Sequence, residues 1–526
     1  MLPIKTTLRD TGLKVPEETC SDTLVPAVTR PEFGPEDWTC MVNLTTNVDE
    51  GSSIDGSVSK FDHLHELAKD TLGSHSQMLV QIFDAQKNEI VLFRIADGKT
   101  TPLGSACSKG YGQDVERFLG MAPHQGKLAF LNLGHGSASG VSGESHNYRV
   151  TMDEMVGSIQ AGLAASGRQF LELVSLDSCD TANPNVISRF SKVTDNLIAS
   201  ETLEWNNGQE YYSAIGRAFK NSPANGKDLG LSIVDAAQQA CDTVGGAGNR
   251  CSNETIALFD TQAAKFLNVK VSDLGAALSK TIENPHDKQV VQRLATGLPD
   301  VGISAELRVY HFTELRDLKA FDYALVEAVK EGKLSDPDHS LATAAEAVNA
   351  AQEKSIVKQF SHRGNWNGVN VLLPSQRNNP EFAYNDVVEQ VKSVTREFEA
   401  LDVNVDQKGY VDPVATRASV VHAREKLGGR DWLIPPSIEA PSQEKNLYSL
   451  FISNVLAKPQ ITSSDLKGVA LFGEKVVNAL EANRHGWLVG HAEEANRNLA
   501  ETMKNQILEN ENWEKFAAKL GAIEVP

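Results

Sequence analysis

Residues 170–180 read FLELVSLDSCD, an apolar run that ends at an acid, a serine and a cysteine. A run that is apolar on both faces is typical of a central strand in a parallel sheet that helices cover on both sides. Residues 127–137, KLAFLNLGHGS, repeat the pattern and place a histidine after the run. Ligands of open parallel sheets bind beyond the carboxyl ends of the strands, so we expect His135 and Cys179 to lie where a site forms.

Apolar runs and helical patterns alternate from Trp38 onward, which predicts βα units and an α/β fold. The expected architecture is a mostly parallel sheet with helices on both faces. Two later runs, NETIALFD (253–260) and NGVNVLLP (367–374), are interpreted as edge or returning strands of the same domain. We expect three parts: an irregular N-terminal extension over residues 1–35, the α/β domain over 36–375 and a helical C-terminal domain over 376–526.

Composition excludes several classes of partner. The 526 residues carry a formal net charge of -19, which nucleic acid and anionic membranes repel. No run approaches the roughly 18 apolar residues of a spanning helix, and no signal-peptide pattern opens the chain. We expect a soluble protein that is cytoplasmic or exported by a route without a signal peptide. The six cysteines form no disulfide scaffold, and only Cys241 and Cys251 are close enough in sequence to suggest a pair.

The residue types at the two strand ends suit nucleophilic catalysis. A cysteine nucleophile needs a nearby imidazole, either to raise its thiolate fraction or to protonate a leaving amine. Gly134 and Gly136 leave space for a substrate backbone, and the amides of Gly136 and Cys179 are candidates for an oxyanion hole. Each residue alone also has a structural explanation, because a cysteine at a strand end usually packs and a His-Gly pair usually forms a turn.

Asp177 is an unusual neighbour for a nucleophilic cysteine. It lies two residues before Cys179 and, by the period of two of a strand, shares its face. A carboxylate so close disfavours a thiolate, unless it is directed into a pocket for a cationic side chain.

Several motifs in order resemble the clostripain family of cysteine peptidases, relatives of the caspases. The similar segments are WTCMVNLTTNVD (38–49), LNLGHGSASG (131–140), LVSLDSCD (173–180), DNLIASETLEWNNG (195–208), ETIALFD (254–260) and NGVNVLLP (367–374). The resemblance implies a caspase-like fold and an endopeptidase that cleaves after Arg or Lys. Cys179 then attacks the scissile carbonyl and His135 protonates the leaving amine.

The same resemblance assigns a specificity pocket. Asp177, from the D-x-C motif, is expected at its floor, and Ser200 and Glu201 fall on the strand that forms its wall. Where relatives often carry a second acid, this chain has Asn207, with Glu204 as the alternative acid if the loop folds inward. This departure puts strict basic specificity in doubt.

Many members of that family cut themselves after a basic residue in the loop that follows the histidine. Here the loop is rich in Gly and Ser and holds one basic residue, Arg149. The alternative is that Arg149 begins the next element and is never cut.

No metal site is predicted. Some clostripain-like enzymes use calcium, but nothing in the sequence locates such an ion, because residues 402–412 match a calcium loop poorly. Two rivals to the peptidase hypothesis stay open. One is a catalytically silent pseudo-peptidase that binds a peptide or partner, and the other is an interaction protein whose C-terminal helical region binds a partner.

Overall fold

The computed structural model describes residues 34–45, 76–84, 87–137, 140–143, 148–202, 216, 223–243, 255–298, 315–361, 366–374, 462–486 and 510–521, with single residues within 384–396 and 488–496.

Its strands form three sheets, of which the largest has nine strands among the described residues. The strands of that sheet are β1 (Trp38–Leu44), β2 (Ser76–Asp84), β3 (Glu89–Ala96), β4 (Lys99–Cys107), β5 (Lys127–Leu133), β9 (Leu173–Asp177), β10 (Asn196–Ala199), β11 (Thr255–Asp260) and β13 (Ile356–Ser361). A three-stranded sheet holds β6 (His135–Ser137), β7 (Gly140–Ser142) and β8 (Arg149–Thr151), and β12 (Leu315–Asp317) pairs with β14 (Asn370–Leu372).

The helices described in full are α1 (Tyr111–Leu119), α2 (Met152–Ala165), α3 (Pro184–Phe190), α4 (Gly226–Thr243), α5 (Thr261–Thr281), α6 (Pro285–Gly297), α7 (Leu318–Lys330), α8 (Ser340–Ser355), α9 (Ser463–Ala482) and α10 (Glu511–Gly521). Among the described residues, no helix is long and apolar enough to cross a membrane.

The centre of the large sheet is parallel. Its strand order is β13-β11-β10-β9-β5-β1-β2-β3-β4, and the five strands from β10 to β2 run parallel to one another. Neighbouring residues of one strand face opposite sides, so that Phe130 joins one hydrophobic cluster and Leu131 the other. Helices cover both faces: α1, α2, α3 and α5 pack on the first, and α4 packs on the second. The predicted α/β class, with a mostly parallel sheet, is confirmed.

The alternation of strands and helices does not hold between residues 76 and 107. There β2, β3 and β4 follow one another as an antiparallel meander. Asp97 and Gly98 connect β3 to β4, and both have positive φ angles, as a two-residue hairpin turn of this type requires. An Asp-Gly pair is a hairpin signal in the sequence, although only the strand before it, β3, is an apolar run.

The two later apolar runs, at residues 253–260 and 367–374, form strands in different sheets. Residues 255–260 form β11, which extends the large sheet antiparallel to β10. Residues 370–372 form β14, which pairs with β12 outside the large sheet, although Val371 packs into the first cluster. The edge strand next to β11 is β13, which the sequence analysis did not anticipate.

The last described helix packs into the core of the α/β domain. Trp513 and Phe516 of α10 belong to the first hydrophobic cluster, and the Trp513 indole N–H donates to the Leu372 carbonyl at 2.9 Å. Residues 511–521, which the sequence assigns to a C-terminal domain, therefore contribute to this core. The domain boundaries at 35 and 375, and partner binding by the C-terminal region, stay predictions.

Candidate active site

The histidine and cysteine motifs leave the sheet side by side. Strands β5 and β9 are parallel neighbours, with Leu133 opposite Asp177. Just beyond that pair, the Gly134 amide donates to the Asp177 carbonyl at 3.1 Å. His135 and Cys179 each lie two residues beyond the Leu133–Asp177 pair, so the two motifs follow neighbouring strands.

The two side chains differ in exposure. His135 is the first residue of β6 and is exposed, whereas Cys179 is half-buried and forms no disulfide. Cys40 provides a contrast, because it is fully buried in β1 and burial raises the pKa of its thiol. A thiolate is therefore disfavoured at Cys40, and Cys179 is the more accessible thiol of these two.

Gly136 packs directly against the nucleophile segment. A Cβ on Gly136 would lie 2.5 Å from the Ser178 Cβ, 3.0 Å from the Cys179 carbonyl oxygen and 3.1 Å from the Thr181 Cγ2. Glycine at this position therefore lets the histidine strand approach the D-x-C motif. The sequence analysis attributed this small residue to substrate access, and the structure adds a packing reason.

A tight turn follows the cysteine. Asp180 has a φ of 55°, and the Thr181 hydroxyl donates to the Ser178 carbonyl at 3.1 Å. Helix α3 then begins at Pro184, with Asn183 as N-cap. Because β9 ends at Asp177, the alternation of a strand does not extend to Cys179 and does not decide whether the two side chains share a face.

The segment after β10 packs alongside this turn. The Asp180 amide donates to the Thr202 carbonyl at 2.9 Å, and the Ala182 amide donates to the Ser200 carbonyl at 2.7 Å. Residues 200–202, which the resemblance assigns to a pocket wall, therefore lie beside the nucleophile segment.

Two side chains of that wall point into the protein. The Ser200 hydroxyl is buried and donates to the Thr255 carbonyl at 2.6 Å. The Glu201 carboxyl is fully buried and accepts the Gly368 amide at 2.5 Å. Burial, followed by repulsion from and a hydrogen bond to Asp317, raises its pKa well above the usual range. Neither group meets solvent in this conformation.

The remaining candidates are placed as follows. Asp177 is half-buried at the end of β9. Glu204 and Asn207 lie outside the described residues, as do residues 402–412, the poor calcium-loop match. Arg149 is exposed on β8. It pairs with Ser142 of β7, and Ser142 pairs in turn with His135 of β6.

The described residues contain no group of three or more His, Cys, Asp or Glu side chains arranged to hold a metal ion. Cys107 is disulfide-bonded, whereas the sequence had suggested only Cys241 and Cys251 as a pair.

Sequence reasoning missed the residues that support the site from behind. Asn370 donates from its side chain to the Glu201 carbonyl at 2.8 Å and from its backbone to the Ala182 carbonyl at 2.9 Å. Asp317 accepts from both the backbone and the side chain of Asn367. The one sequence signal for such a role is that Asn370 interrupts the apolar stretch VNVLL (369–373), since a buried asparagine needs hydrogen-bond partners.

A comparison with models of known protein families finds one match. Residues 146–405 match the family model described as the clostripain family. The match includes Asp177 and Cys179 and begins after His135. The protein is a cysteine-type peptidase, and the resemblance of the sequence motifs to the clostripain family is confirmed.

Solved structures of clostripain-type proteases are similar to this chain. A secreted C11 cysteine protease from Bacteroides thetaiotaomicron, "iotapain", is 13% identical with a TM-score of 0.45, and the alignment covers 64% of this chain and 94% of that chain. An inactive zymogen C11 protease from Parabacteroides distasonis is 13% identical with a TM-score of 0.43, covering 66% and 94%. No curated protein sequence matches the chain.

Proposed function

We propose that this cysteine peptidase is an endopeptidase that uses Cys179 and His135 as a catalytic dyad and cleaves after a basic residue. The observation that supports the dyad is the β5–β9 register, which brings the two motifs out of the sheet on adjacent strands. The close packing of Gly136 against residues 178–181 supports it further, because it joins the two motifs into one unit.

The chemistry follows from the residue types. The Cys179 thiolate attacks the scissile carbonyl carbon and forms a carbon–sulfur bond, while His135 protonates the leaving amine. Water then hydrolyses the thioester with His135 as the base, and the thiol is released. The amides of Gly136 and Cys179 are proposed to stabilise the oxyanion of the tetrahedral intermediate.

Asp177 is the proposed determinant of basic specificity. It is half-buried at the strand end next to the nucleophile, so its carboxylate is partly shielded from water and still reachable by a substrate side chain. A guanidinium or ammonium forms a charge-assisted hydrogen bond with this carboxylate, whereas an apolar substrate side chain covers the carboxylate and offers it no donor. Ser200 and Glu201 are buried, and we keep them in the wall behind the pocket rather than in contact with the substrate.

The test compares the purified protein with Cys179→Ala on peptides that carry Arg, Lys, Asp or Leu before a fluorogenic leaving group. We expect turnover of the Arg and Lys peptides by the unaltered protein alone, together with labelling of Cys179 by an electrophilic peptide. Absence of both turnover and labelling would contradict the proposal. His135→Ala separates the dyad from a lone reactive thiol, because the thiol is still alkylated while turnover is lost.

A further inference from the structure

A short segment, residues 367–370, joins three parts of the protein behind the proposed site, and we call it the bridging segment. Each of its residues makes a backbone or side-chain hydrogen bond to a different neighbour. The Leu318 amide, at the start of α7, donates to the Val369 carbonyl at 3.0 Å. The Asn370 amide donates to the carbonyl of Ala182, three residues after the nucleophile, at 2.9 Å.

Two buried carboxyl groups hold the beginning of this segment. Asp317, the last residue of β12, accepts the Asn367 amide at 2.6 Å, and Glu201 accepts the adjacent Gly368 amide at 2.5 Å. Asp317 and Glu201 are each almost fully buried. Two ionised carboxylates this close in a buried site repel each other, so one of them is expected to hold a proton.

The hydrogen bonds indicate which carboxyl holds it. Asp317 accepts three donors: the Ala320 amide on Oδ1, and both the amide and the side-chain NH₂ of Asn367 on Oδ2. Acceptance at both oxygens suits an ionised group. Glu201 accepts one donor on Oε2, and its buried Oε1 accepts from no N–H or O–H group of the described residues.

A proton on Oε1 of Glu201 explains why this oxygen accepts no donor while both oxygens of Asp317 do. The neutral acid donates through Oε1 to the Asp317 carboxylate while Oε2 still accepts the Gly368 amide. Asp180, from the nucleophile turn, favours the same state, because it also repels a charge on Glu201. Burial, followed by repulsion from Asp317, raises the pKa of the Asp322 carboxyl of α7 well above its usual range, so we expect Asp322 to be neutral as well and to leave the negative charge on Asp317. The neighbouring Arg316 guanidinium donates to the Ala295 and Leu315 carbonyls.

We propose that Glu201 is a positioning residue of the peptidase: as a neutral acid it donates to Asp317 and thereby fixes the bridging segment against the turn that follows Cys179. The inference rests on the proposed function, because the nucleophile is the group that is positioned. Asn370 alone connects Glu201 to the turn after the nucleophile. Its side chain donates to the Glu201 carbonyl at 2.8 Å, and its backbone amide donates to the Ala182 carbonyl.

The sign of the pH dependence follows from the raised pKa of Glu201, which burial causes first and Asp317 second. The stabilisation by the neutral acid is complete below the pKa of an unfolded glutamic acid and is lost as pH rises through the folded value. Glu201→Gln mimics the neutral acid, because its amide donates to Asp317 and accepts from Gly368 at every pH.

The test measures Tm and kcat/KM between about pH 5 and pH 9 for the unaltered protein, Glu201→Gln, Glu201→Ala and Asp317→Asn. We expect the Tm of Glu201→Gln, relative to the unaltered protein, to rise with pH. The ratio of their kcat/KM values should rise in the same range. Glu201→Ala should have a lower kcat at every pH. Asp317→Asn should have a lower Tm at every pH, because the new side-chain NH₂ faces the N–H donors of Ala320 or Asn367.

Glu154→Gln is the matched control. Glu154 accepts from Thr151 at the exposed start of α2, and those hydrogen bonds lower its pKa, so its Tm difference should stay constant over this range. A pH-independent Tm difference for Glu201→Gln, or equal damage by Glu201→Gln and Asp317→Asn, would overturn the proton assignment. A rising Tm difference with a constant kcat/KM ratio would overturn the positioning role. The Tm results stand even if the protein cleaves none of the peptides, so the two proposals fail separately.

Discussion

Gly136 lies so close to Ser178 that a Cβ on the glycine would come within 2.5 Å of the serine Cβ. The histidine strand and the nucleophile segment are thus in backbone contact, and no side chain separates them. This contact makes the relative position of His135 and Cys179 depend on a residue that carries no chemistry of its own.

Gly136→Ala should therefore impair catalysis more than folding. The added methyl group pushes the histidine strand away from residues 178–181, and a shift of about 1 Å in a catalytic group costs on the order of 100-fold in rate. We expect kcat to fall by that order on the best Arg or Lys peptide, with a smaller change in KM.

Gly157→Ala is the control for this substitution. Gly157 lies in α2, and a Cβ there would meet no atom within 4 Å. Alanine in place of a helical glycine stabilises by about 0.5–1 kcal/mol, so kcat should stay unchanged and Tm should rise slightly. Equal kcat values for the two alanine variants would show that the contact at Gly136 does not position the dyad.

Asp177→Asn should reduce the preference for basic substrates while the thiol still reacts. A hydrogen bond to a charged group contributes about 1.5–3 kcal/mol, which corresponds to roughly 10- to 100-fold in kcat/KM for Arg over Leu peptides. The measurement is that ratio, beside the rate of Cys179 alkylation. Asp273→Asn, which removes an exposed acid from α5, controls for the loss of net negative charge. An unchanged Arg preference in Asp177→Asn would assign specificity to another residue.

The strands that end at the candidate site were predictable from the sequence. The buried polar residues that pack behind the site, such as Asp317 and Asn370, were not. Runs such as KLAFLNL and LELVSLD are apolar on both faces only if helices cover both sides, which fixes them as central strands and places His135 and Cys179 at one edge. Their adjacency required one further assumption, that consecutive βα units pair. The structure satisfies it for β5 and β9 and departs from it for β2, β3 and β4.

The role of Glu201 was beyond the sequence for a physical reason. From the sequence alone, an acid after a buried strand is a candidate ligand for a cationic substrate. Only the position of Asp317, 116 residues later in the chain, shows that Glu201 faces another carboxyl group. Long-range partners of buried polar groups depend on packing between distant elements, whereas periodicity reports only the elements themselves.

Self-cleavage after Arg149 should require β8 to leave its sheet. Arg149 is paired with Ser142, and the preceding Tyr148 is buried, with its hydroxyl donating to Asp114 at 3.1 Å and its ring stacked on Phe83 at 3.6 Å. Tyr148→Ala removes both contacts, so we expect faster appearance of a fragment that begins at Val150, measured by intact mass and N-terminal sequencing.

Two variants make this prediction specific. Tyr148→Phe keeps the ring on Phe83 and loses only the bond to Asp114, so its rate should fall between those of the unaltered protein and Tyr148→Ala. Tyr148→Ala combined with Cys179→Ala should not cleave. A fragment that forms equally fast in all single variants would show that β8 pairing does not limit the cut.

Trp513 should be essential for the stability of the peptidase, although it lies near the end of the chain. Its indole packs edge-on to Phe321 of α7 at 6.4 Å and donates to the carbonyl of Leu372, which follows the bridging segment. Trp513→Ala removes a large buried side chain and should cost about 3–5 kcal/mol of unfolding free energy, measured by chemical denaturation.

Trp513→Phe separates packing from hydrogen bonding, because it keeps a buried ring and removes the N–H that reaches Leu372. Its cost in unfolding free energy should be smaller, about 1–3 kcal/mol, since the carbonyl of Leu372 is left without this donor. If α10 were instead part of an independent C-terminal unit, both variants would lower the stability of that unit and leave the unfolding of the peptidase core and its kcat unchanged. We expect instead that the variants unfold the peptidase core at lower denaturant concentration and lose kcat over the same transition. The reason is that the ring of Trp513 belongs to the same hydrophobic cluster as Phe130 and Val174 of the central strands.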